Sequence, residues 1–287
     1  MMAVEAVPVA LITGANSGIG RVTAEVLARQ GYRVVLACRS QARTQPVLEA
    51  ILAANPAAPP QWLALDLGCF DSVQACAAQF LASGWPLHRL ILNAGQGGGR
   101  GLSASGFERA FGINHLGHFL LAQLLRERLC QSAPARVVTV ASALHHRANG
   151  LDFDAVRQPT RSLTGLPEYA VSKLSNVLFS AELARQWAGT GVDSYCVHPG
   201  MVDTAVWRRV PRPLRPLLRW AWGWVPAEQG ARTTLMCATD PALVGQTGRY
   251  YAREREATPS ALGQDEALAR ALWAHSAAWT GTAGLTS

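Results

Sequence analysis

Short apolar runs rich in β-branched residues recur along this chain, and they limit the fold more than any other feature of the sequence. The runs are VPVALIT at 7–13, RVVLAC at 33–38, WLALDL at 62–67, RLILNAG at 89–95, RVVTVAS at 136–142 and VDSYCVHPG at 192–200. They lack a strict apolar/polar alternation, so each run predicts a strand that is buried on both faces. A last short run, GRYYA at 248–252, predicts one more strand.

Segments with a helical spacing of apolar residues lie between these runs. They cover residues 21–30, 72–81, 107–129 and 169–187, and a final helix is predicted around 265–276. Alternating strands and helices are typical of an α/β fold, in which helices cover both faces of a doubly wound parallel sheet. No repeat or linker divides the chain, so we expect a single domain over 1–287, with a cofactor-binding half at about 8–150 and a catalytic and substrate half at about 151–287.

The composition supports a large folded core and restricts the partners. Of the 287 residues, 49% are hydrophobic and only 16% are charged, which argues against disorder over most of the length. The net charge of +7 raises nucleic acid or an anionic membrane as partners. No nucleic-acid-binding motif accompanies the charge, so we interpret the arginines as a solvated surface and expect no nucleic-acid partner.

The cysteines are scattered without a C-x-x-C pair, which argues against a zinc site and against a disulfide framework. They are Cys38, Cys69, Cys76, Cys130, Cys196 and Cys237. Without an H-E-x-x-H motif or clustered acids, we expect no metal. Reduced thiols suit a cytoplasmic location. The first residues lack the charged region of a signal peptide, and no uncharged apolar run reaches about 18 residues, so neither a signal peptide nor a transmembrane helix is expected.

A glycine-rich turn, TGANSGIG, follows the first predicted strand and precedes the first predicted helix. Gly14, Gly18 and Gly20 would let the chain turn tightly, so that a pyrophosphate lies against backbone N–H groups at the positive end of the helix. The spacing is G-x-x-x-G-x-G rather than the commoner G-x-G-x-x-G. Such a turn is weak evidence alone, because flavodoxin-like folds without a dinucleotide also use glycines there.

The end of the second predicted strand carries Arg39 and Ser40, where NAD-binding folds place an acid. A cation there can pair with a 2′-phosphate, so NADP(H) is favoured over NAD(H); the alternative is a solvated arginine at a strand end. Asp66 would lie near the adenine. Asn93-Ala94-Gly95 ends the fourth strand, at the edge of the sheet where ligands bind in such folds.

Lys173 breaks the strong preference of this chain for arginine. The other 25 of its 26 basic residues are arginines. Lys173 follows Tyr169 by four residues, so a helix would place the two on one face. A nearby cation favours the phenolate of a tyrosine, whose pKa is otherwise near 10, and a compact ammonium suits ribose hydroxyls better than a planar guanidinium. The pair therefore indicates an acid–base site.

The ordered set TGANSGIG, LNAG, INHLGHF, VVTVAS, YAVSK and HPGMVDT resembles the short-chain dehydrogenase/reductase family. The longer segments VVLACRS, FGINHLGHFLLAQLL, RVVTVASALHH, YAVSKLSNVLFSAELA and VHPGMVDT resemble its retinol-dehydrogenase-like branch. The resemblance covers residues 9–279. It implies a Rossmann-type fold and hydride transfer between a nicotinamide and a carbonyl/alcohol pair.

The resemblance implies a role for each of four residues. Tyr169 would exchange a proton with the substrate oxygen, which Ser142 would hydrogen-bond, while Lys173 would lower the pKa of Tyr169 and hold the nicotinamide ribose. Asn114 would bind a water of a proton relay to Lys173. The segment HPGMVDT would cover the nicotinamide. The cofactor-binding residues so implied are Gly14, Asn16, Ser17, Gly18, Ile19, Gly20, Arg39, Ser40, Asp66, Leu67, Asn93, Ala94, Gly95, Tyr169, Lys173, Pro199, Gly200, Val202 and Thr204.

Two positions depart from the family pattern without removing a chemical group from this set. Leu92 replaces the first of two asparagines often found before Ala-Gly, and Ala141 precedes Ser142 where a second serine is common. The membrane anchor with which many retinol dehydrogenases begin is not expected here. We interpret the histidines beside the site as packing or pocket-wall residues; they are His115, His118, His145 and His146.

Residues 204–226 follow at the point where the family places a substrate-binding flap. The stretch VWRRVPRPLRPLLRWAWGWVP at 206–226 contains four tryptophans and five arginines but no acid. An aromatic lid predicts a lipophilic substrate such as retinal, another long-chain or aromatic aldehyde, a steroid or a polycyclic ketone. The flap either packs on its own domain or also contacts an anionic membrane surface.

We therefore expect an NADP(H)-dependent enzyme that interconverts a hydrophobic carbonyl compound and its alcohol, with reduction as the expected direction. The alternative from another class is a non-catalytic NADP(H) sensor, but such a protein would not need Ser142, Tyr169 and Lys173 together. An extended-family epimerase or dehydratase would have another glycine spacing and a longer C-terminal domain. The chain is expected to be a monomer or a homodimer formed through the helices that carry Asn114 and Tyr169.

Overall fold

The strands form one continuous sheet. The structure, a computed structural model, describes residues 7–97, 99–200 and 225–285. Its strands are β1 (Val9–Thr13), β2 (Arg33–Cys38), β3 (Gln61–Ala64), β4 (Arg89–Leu92), β5 (Ala135–Val140), β6 (Val192–His198), β7 (Arg249–Ala252) and β8 (Arg255–Glu256). They lie in the order β3-β2-β1-β4-β5-β6-β7-β8, and every pair is parallel except β7 with β8. The predicted doubly wound parallel sheet is confirmed.

The reversal of strand order beside β1 creates the place for a site. β1 pairs with β2 on one side, where Leu11 lies opposite Val35, and with β4 on the other, where Leu11 lies opposite Leu90. All five residues of β1 are buried, as its continuous apolar sequence requires. Because the connections on the two sides of β1 run in opposite directions, a crevice opens at the carboxyl ends of β1 and β4, where ligands bind in open α/β sheets.

Helices cover both faces of the sheet. In the described part of the chain the α-helices are α1 (Gly18–Arg29), α2 (Gln41–Ala53), α3 (Phe70–Ala82), α4 (Arg109–Phe111), α5 (Gly117–Gln131), α6 (Leu166–Gln186), α7 (Ala227–Thr239) and α8 (Glu266–Thr280). On one face Phe80, Phe119 and Phe179, from α3, α5 and α6, pack in one core. On the other face Leu27 of α1 and Ile51 of α2 belong to a second core. The two cores hold the sheet between them.

The helix predicted at 107–129 is interrupted. The chain forms the short helix α4, then a π-helical turn over Gly112–Leu116, and then α5. Asn114 lies in the π-helical turn, and its side chain bonds to the main chain of Gln96. A Cβ on Gly117 would overlap the carbonyl group of Leu67, so glycine is required for this close approach. The π-helical turn therefore coincides with contacts that Asn114 and Gly117 make to residues outside the helix.

Other boundaries differ from the sequence prediction. The strand predicted at 62–67 ends at Ala64, because the Asp66 carboxylate accepts a hydrogen bond from the Gly68 N–H at 2.9 Å and turns the chain. Helix α2 and the short antiparallel strand β8 are not among the predicted elements. Residues 204–224 of the predicted flap lie outside the described residues. No helix among the described ranges combines the length and the apolar composition needed to span a bilayer.

Candidate active site

The glycine-rich turn between β1 and α1 is shaped to receive a phosphate group. Gly14 has a φ of +68°, and a Cβ there would lie 3.0 Å from the Cα of Ala94. A Cβ on Gly20 would overlap the Gly14 carbonyl group. At Gly18, where φ is +55°, a Cβ would point into open space beside the start of α1. The turn thus needs glycine both for its backbone shape and for close packing.

The amino-terminal end of α1 is open to an anion. Its cap residue, Ser17, makes no side-chain hydrogen bond to the helix, and the first turn contains no acid. The first N–H groups of a helix have no intrahelical partner and lie at the positive end of its dipole. Asn16 is half-buried beside this end, and Ile19 can offer only its main chain because its side chain packs on Ala231. These residues fit the pyrophosphate of a dinucleotide.

Thr13, which the sequence analysis does not select, connects this turn to the end of β4. Its hydroxyl accepts hydrogen bonds from the N–H groups of Asn93 and Ala94 at 3.0 and 2.9 Å. The Asn93 side chain donates to the Thr13 carbonyl at 2.9 Å, and the Thr13 hydroxyl lies 2.9 Å from Nε2 of His118. The Asn93-Ala94-Gly95 segment is therefore held against the glycine-rich turn. The only sequence signal for Thr13 is a hydroxyl at the end of an apolar strand.

Positive charge gathers where the adenosine half of a dinucleotide would lie. Arg39 is exposed after β2 and makes no hydrogen bond or ion pair with any described residue. Ser40 caps α2, because its hydroxyl accepts a hydrogen bond from the Arg43 N–H at 3.4 Å, and the first turn of α2 contains no acid. Arg43 is also exposed. Arg43 is not among the predicted residues, although its spacing of four residues from Arg39 at a helix start is a usable signal.

Three other predicted cofactor residues lie at strand ends around the crevice. Asp66 is half-buried, and its carboxylate bonds to the main chain of the following turn. Leu67 is 4% exposed, so its side chain belongs to the core. Gly95 is exposed, and a Cβ there would lie 3.4 Å from Nζ of Lys173. Gly95 thus joins the nucleotide end of the crevice to the predicted catalytic residues.

Ser142, Tyr169 and Lys173 come together beyond the carboxyl end of β5. Ser142 follows β5, and α6 carries the other two. The Ser142 hydroxyl lies near enough to the Tyr169 phenol to act on its pKa, and Nζ of Lys173 lies 5.7 Å from the centroid of the Tyr169 ring. Tyr169 is only 8% exposed and Lys173 only 2%. The structure therefore assembles these three predicted residues in a nearly dry site.

Burial controls the protonation of this group. It raises the pKa of Tyr169 to about 12, although the nearby Ser142 hydroxyl acts in the opposite direction. It lowers the pKa of Lys173 to about 8. At neutral pH Tyr169 is therefore a phenol, and most of the Lys173 population is an ammonium ion. Desolvation, rather than the lysine, dominates the pKa of this tyrosine, and the phenol has a proton to give.

Asn114 is bonded to the protein through both ends of its side-chain amide. Its Nδ2 donates to the Gln96 carbonyl at 3.0 Å and to Oγ of Ser172 at 2.9 Å, and its Oδ1 accepts from the Gln96 N–H at 2.8 Å. Nζ of Lys173 donates to the Val140 carbonyl at 2.9 Å. Asn114 thus ties the loop after Gly95 to α6, and a relay water between Asn114 and Lys173 stays a prediction. Ser172 is a partner that the sequence analysis misses.

The segment after β6 lies at the same edge of the sheet. Pro199 is half-buried, and Gly200 has a φ of +85°, with a Cβ there 3.5 Å from Val225. Val202 and Thr204 lie outside the described residues. Within the described ranges, no group of three or more histidine, cysteine or acidic side chains could hold a metal ion.

Three of the four histidines near the site are buried. His115 and His118 are each 1% exposed, and burial lowers the pKa of both to about 3. His145 is completely buried, with its pKa lowered to about 4 by burial. His146 is exposed. The three buried rings are neutral at physiological pH.

Comparison with known proteins gives a consistent assignment. A profile described as short chain dehydrogenase matches residues 8–153. Dehydrogenase/reductase SDR family member 13 of Bos taurus is 44% identical over 270 residues, which cover 92% of this chain and 71% of the relative. Retinol dehydrogenase 11 of Homo sapiens is 40% identical over 272 residues, which cover 92% of this chain and 83% of the relative.

A solved structure agrees with the fold. It is a crystal structure from Beutenbergia cavernae, described as a candidate NAD(P)-dependent gluconate 5-dehydrogenase with NADP bound at low occupancy. It is 25% identical, has a TM-score of 0.67, and the match covers 87% of this chain and 96% of that chain. The sheet order, the residues gathered at its carboxyl edge and these relatives lead to one assignment: the chain belongs to the short-chain dehydrogenase/reductase enzymes, in their retinol-dehydrogenase-like branch.

Proposed function

We propose that this enzyme uses NADP(H) to interconvert a lipophilic carbonyl compound and its alcohol, with Tyr169 as the acid and base. The observation that carries the proposal is the assembly of Ser142, the buried Tyr169 and Lys173, with Nζ of Lys173 5.7 Å from the tyrosine ring. Family membership supports the interconversion of a carbonyl and an alcohol. The three side chains support a particular route for the proton.

The residues of the site divide the chemistry among them. When bound, the nicotinamide supplies or accepts the hydride. In reduction, the Ser142 hydroxyl hydrogen-bonds the carbonyl oxygen and stabilises the negative charge that develops there. Tyr169 donates its phenolic proton to this oxygen. The transfer is favourable because the oxygen, as it gains negative charge, becomes a stronger base than the phenolate of Tyr169, although the pKa of this phenol is raised to about 12. The ammonium group of Lys173 stabilises the phenolate that remains.

The protonation states favour reduction. Before the reaction, Tyr169 carries the proton that reduction consumes, because burial raises its pKa to about 12. The oxidative direction would begin with a phenolate, which costs more at neutral pH in this dry site. A protonated Tyr169 is thus consistent with reduction as the expected direction.

Charge at the adenosine end supports NADP(H) rather than NAD(H). Arg39 is exposed without a partner among the described residues, and Arg43 lies on the first turn of α2. A 2′-phosphate there would meet two guanidinium groups and the positive end of a helix. The presence of NADP in the related Beutenbergia cavernae structure is consistent with this preference.

Sequence composition supports a lipophilic substrate. Residues 206–226 contain four tryptophans and no acid, and they follow the segment at the nicotinamide end of the crevice. The relatives include a retinol dehydrogenase, whose name specifies a lipophilic alcohol. We propose retinal-like or polycyclic carbonyl compounds as substrates. Peripheral contact of the same residues with an anionic membrane is part of the proposal, and binding to anionic vesicles tests it.

The position of α8 supports a monomer. Its Trp273 packs on Phe119 of α5 and Phe179 of α6, with ring centroids 5.0 and 6.0 Å apart. α8 therefore covers apolar surface on the helices through which a homodimer would otherwise form. Sedimentation equilibrium should give the mass of one chain, whereas the mass of a dimer would contradict this arrangement.

The decisive experiment is NADPH consumption by the purified protein with lipophilic aldehydes and ketones, retinal included. Wild type should turn over, and Tyr169→Phe should lower kcat by about 10²- to 10⁴-fold while NADPH still binds. Arg39→Glu is the cofactor variant, and it should weaken NADPH more than NADH. If NADPH binds to wild type but no carbonyl is reduced, the catalytic proposal fails and the sensor alternative replaces it. Equal use of NADH and NADPH by wild type would contradict the cofactor preference.

A further inference from the structure

The peptide group that follows Ser142 is held at both ends by histidine side chains. Its carbonyl oxygen, on Ser142, lies 2.7 Å from Nδ1 of His145. Its N–H group, on Ala143, donates to Nδ1 of His198 at 3.2 Å. His145 belongs to the turn after β5, whereas His198 ends β6 and is 55 residues beyond Ala143. One peptide group thus contacts two rings that come from different parts of the chain.

The chemistry of these partners fixes the proton on each ring. A carbonyl oxygen only accepts, so Nδ1 of His145 carries hydrogen, and its Nε2 accepts from the Ser260 N–H at 3.0 Å. A backbone N–H only donates, so Nδ1 of His198 carries no hydrogen, and the proton of the neutral ring is on Nε2. The arrangement therefore requires two neutral histidines in opposite tautomers.

The surroundings of both rings favour the neutral form. The His145 ring packs on His146 and Tyr250, with ring centroids 4.0 and 5.3 Å away. The charged or titratable groups that act on His198 are His145, His146 and Arg253. Burial, helped by these neighbours, lowers the pKa of both His145 and His198 to about 4. No carboxylate within the described ranges acts on either ring.

The position of the Ser142 hydroxyl depends on this peptide group. Ser142 has an extended backbone with a φ of −161° and a ψ of 152°, and rotation about ψ would turn the peptide group that follows. The Leu144 N–H donates to Oγ of Ser142 at 3.2 Å, so the same turn also orients the side chain. Rotation of the peptide group would break its bonds to both histidines and move the donor that holds Oγ.

We propose that His145 and His198 are positioning residues for the reaction, which together hold the Ser142–Ala143 peptide so that the Ser142 hydroxyl meets both Tyr169 and the substrate oxygen. The inference rests on the proposed function, because it assigns Ser142 to the substrate oxygen. Neither ring exchanges a proton with the substrate. The two histidines act by keeping Ser142 Oγ where a carbonyl can reach it.

Two substitutions of His198 separate positioning from simple packing. His198→Leu removes the acceptor for the Ala143 N–H, whereas His198→Asn keeps an acceptor oxygen at the same branch of the side chain. His198→Leu should lower kcat for carbonyl reduction about tenfold and leave the Kd of NADPH nearly unchanged. His198→Asn should stay within about threefold of wild type. Thermal unfolding of both variants checks that they fold; if His198→Leu does not, the pH profile of His198→Asn and the spectrum below carry the test.

The pH profile supplies a second readout. As the pH falls toward the pKa of His198, about 4, protonation places an N–H against the Ala143 N–H. At acid pH values where tryptophan fluorescence shows both proteins folded, wild type should therefore lose kcat more steeply than His198→Asn, in which only His145 of the pair still titrates. Wild-type kcat in His198→Leu would overturn the proposal, and so would equal losses in both variants or an acid limb as steep in His198→Asn as in wild type.

The ring nitrogens test the arrangement independently of activity. In protein labelled with ¹⁵N-histidine, long-range ¹H–¹⁵N spectra at neutral pH should show a protonated, pyrrole-type Nδ1 for His145 and an unprotonated, pyridine-type Nδ1 for His198. The loss of signals in His145→Gln and in His198→Asn assigns them. The opposite tautomer in either ring, or a charged ring, would refute the arrangement. If wild type reduces no carbonyl, the proposed function is wrong. The spectrum would still show whether the two rings hold the peptide in this way.

Discussion

Acid should unfold this protein through three buried neutral histidines, His115, His118 and His145. Each is at most 1% exposed. Burial lowers the pKa of His115 and His118 to about 3 and that of His145 to about 4, from the ordinary value of 6.5. Neighbouring titratable groups add to the effect, since His118 acts on His115, Lys173 on His118 and His146 on His145. Protonation of any of these rings would bury a charge.

The direction and size of the effect follow from linkage. The pKa values of these histidines are lower in the folded protein than in the unfolded chain. The unfolded chain therefore binds protons below pH 6.5, whereas the folded protein binds them only as the pH nears 4 to 3. The contribution to stability is thus complete above about pH 6.5 and is lost as the pH falls. Between pH 7 and 5 each ring costs about 2 kcal/mol, so the three cost about 6 kcal/mol. A typical domain has only about 5–15 kcal/mol in all.

Urea unfolding followed by tryptophan fluorescence, at several pH values between about 5 and 8, measures this loss. His115→Phe removes one titrating ring from a cluster with Phe111, Phe119 and Phe179. This variant should lose about 2 kcal/mol less than wild type between pH 7 and 5. His275→Gln, at an exposed position, should behave as wild type. A free energy of unfolding that stays constant from pH 7 to 5, or an identical pH dependence in His115→Phe, would refute the reasoning.

Three further substitutions have defined outcomes. Lys173→Arg should lower kcat about 100-fold, because a planar guanidinium replaces a compact ammonium at a position only 2% exposed; steady-state NADPH oxidation measures it. Gly20→Ala should weaken NADPH binding at least about tenfold, because a Cβ would displace the main chain of the phosphate-binding turn; fluorescence titration measures it. Arg136→Met should lower the free energy of unfolding by about 2–4 kcal/mol, because this 4%-exposed side chain donates to two carbonyl groups at the carboxyl end of α7; urea unfolding measures it.

Each of these has an outcome that would contradict it. Wild-type turnover in Lys173→Arg would mean that the only lysine of the chain has no special role. Unchanged affinity of Gly20→Ala for NADPH would place the nucleotide elsewhere. Arg100→Met, at an exposed position, is the matched control for Arg136→Met, and equal stability of the two variants would show that the capping of α7 contributes nothing.

The sequence determined the architecture and selected the residues of the proposed site, since both are encoded locally. Strands buried on both faces need continuous apolar runs, and the six long runs with the GRYYA segment coincide with β1 to β7. A spacing of four residues on a helix brings Tyr169 and Lys173 together wherever the helix lies. The tight turn at 14–20 similarly needs glycine in any environment. These features can be read from neighbours along the chain.

Only the tertiary structure decided how these groups behave. The pKa of Tyr169 depends on how completely the packed chain excludes water from the phenol, and no motif contains that quantity. The π-helical turn at Asn114 involves contacts with Gln96 and Ser172, 18 and 58 residues away. The hydrogen bond from the Ala143 N–H needs His198, which lies within reach only because β5 and β6 are neighbours in the sheet. Periodicity shows which residues are buried, whereas packing alone determines which buried groups meet and what charge they can carry.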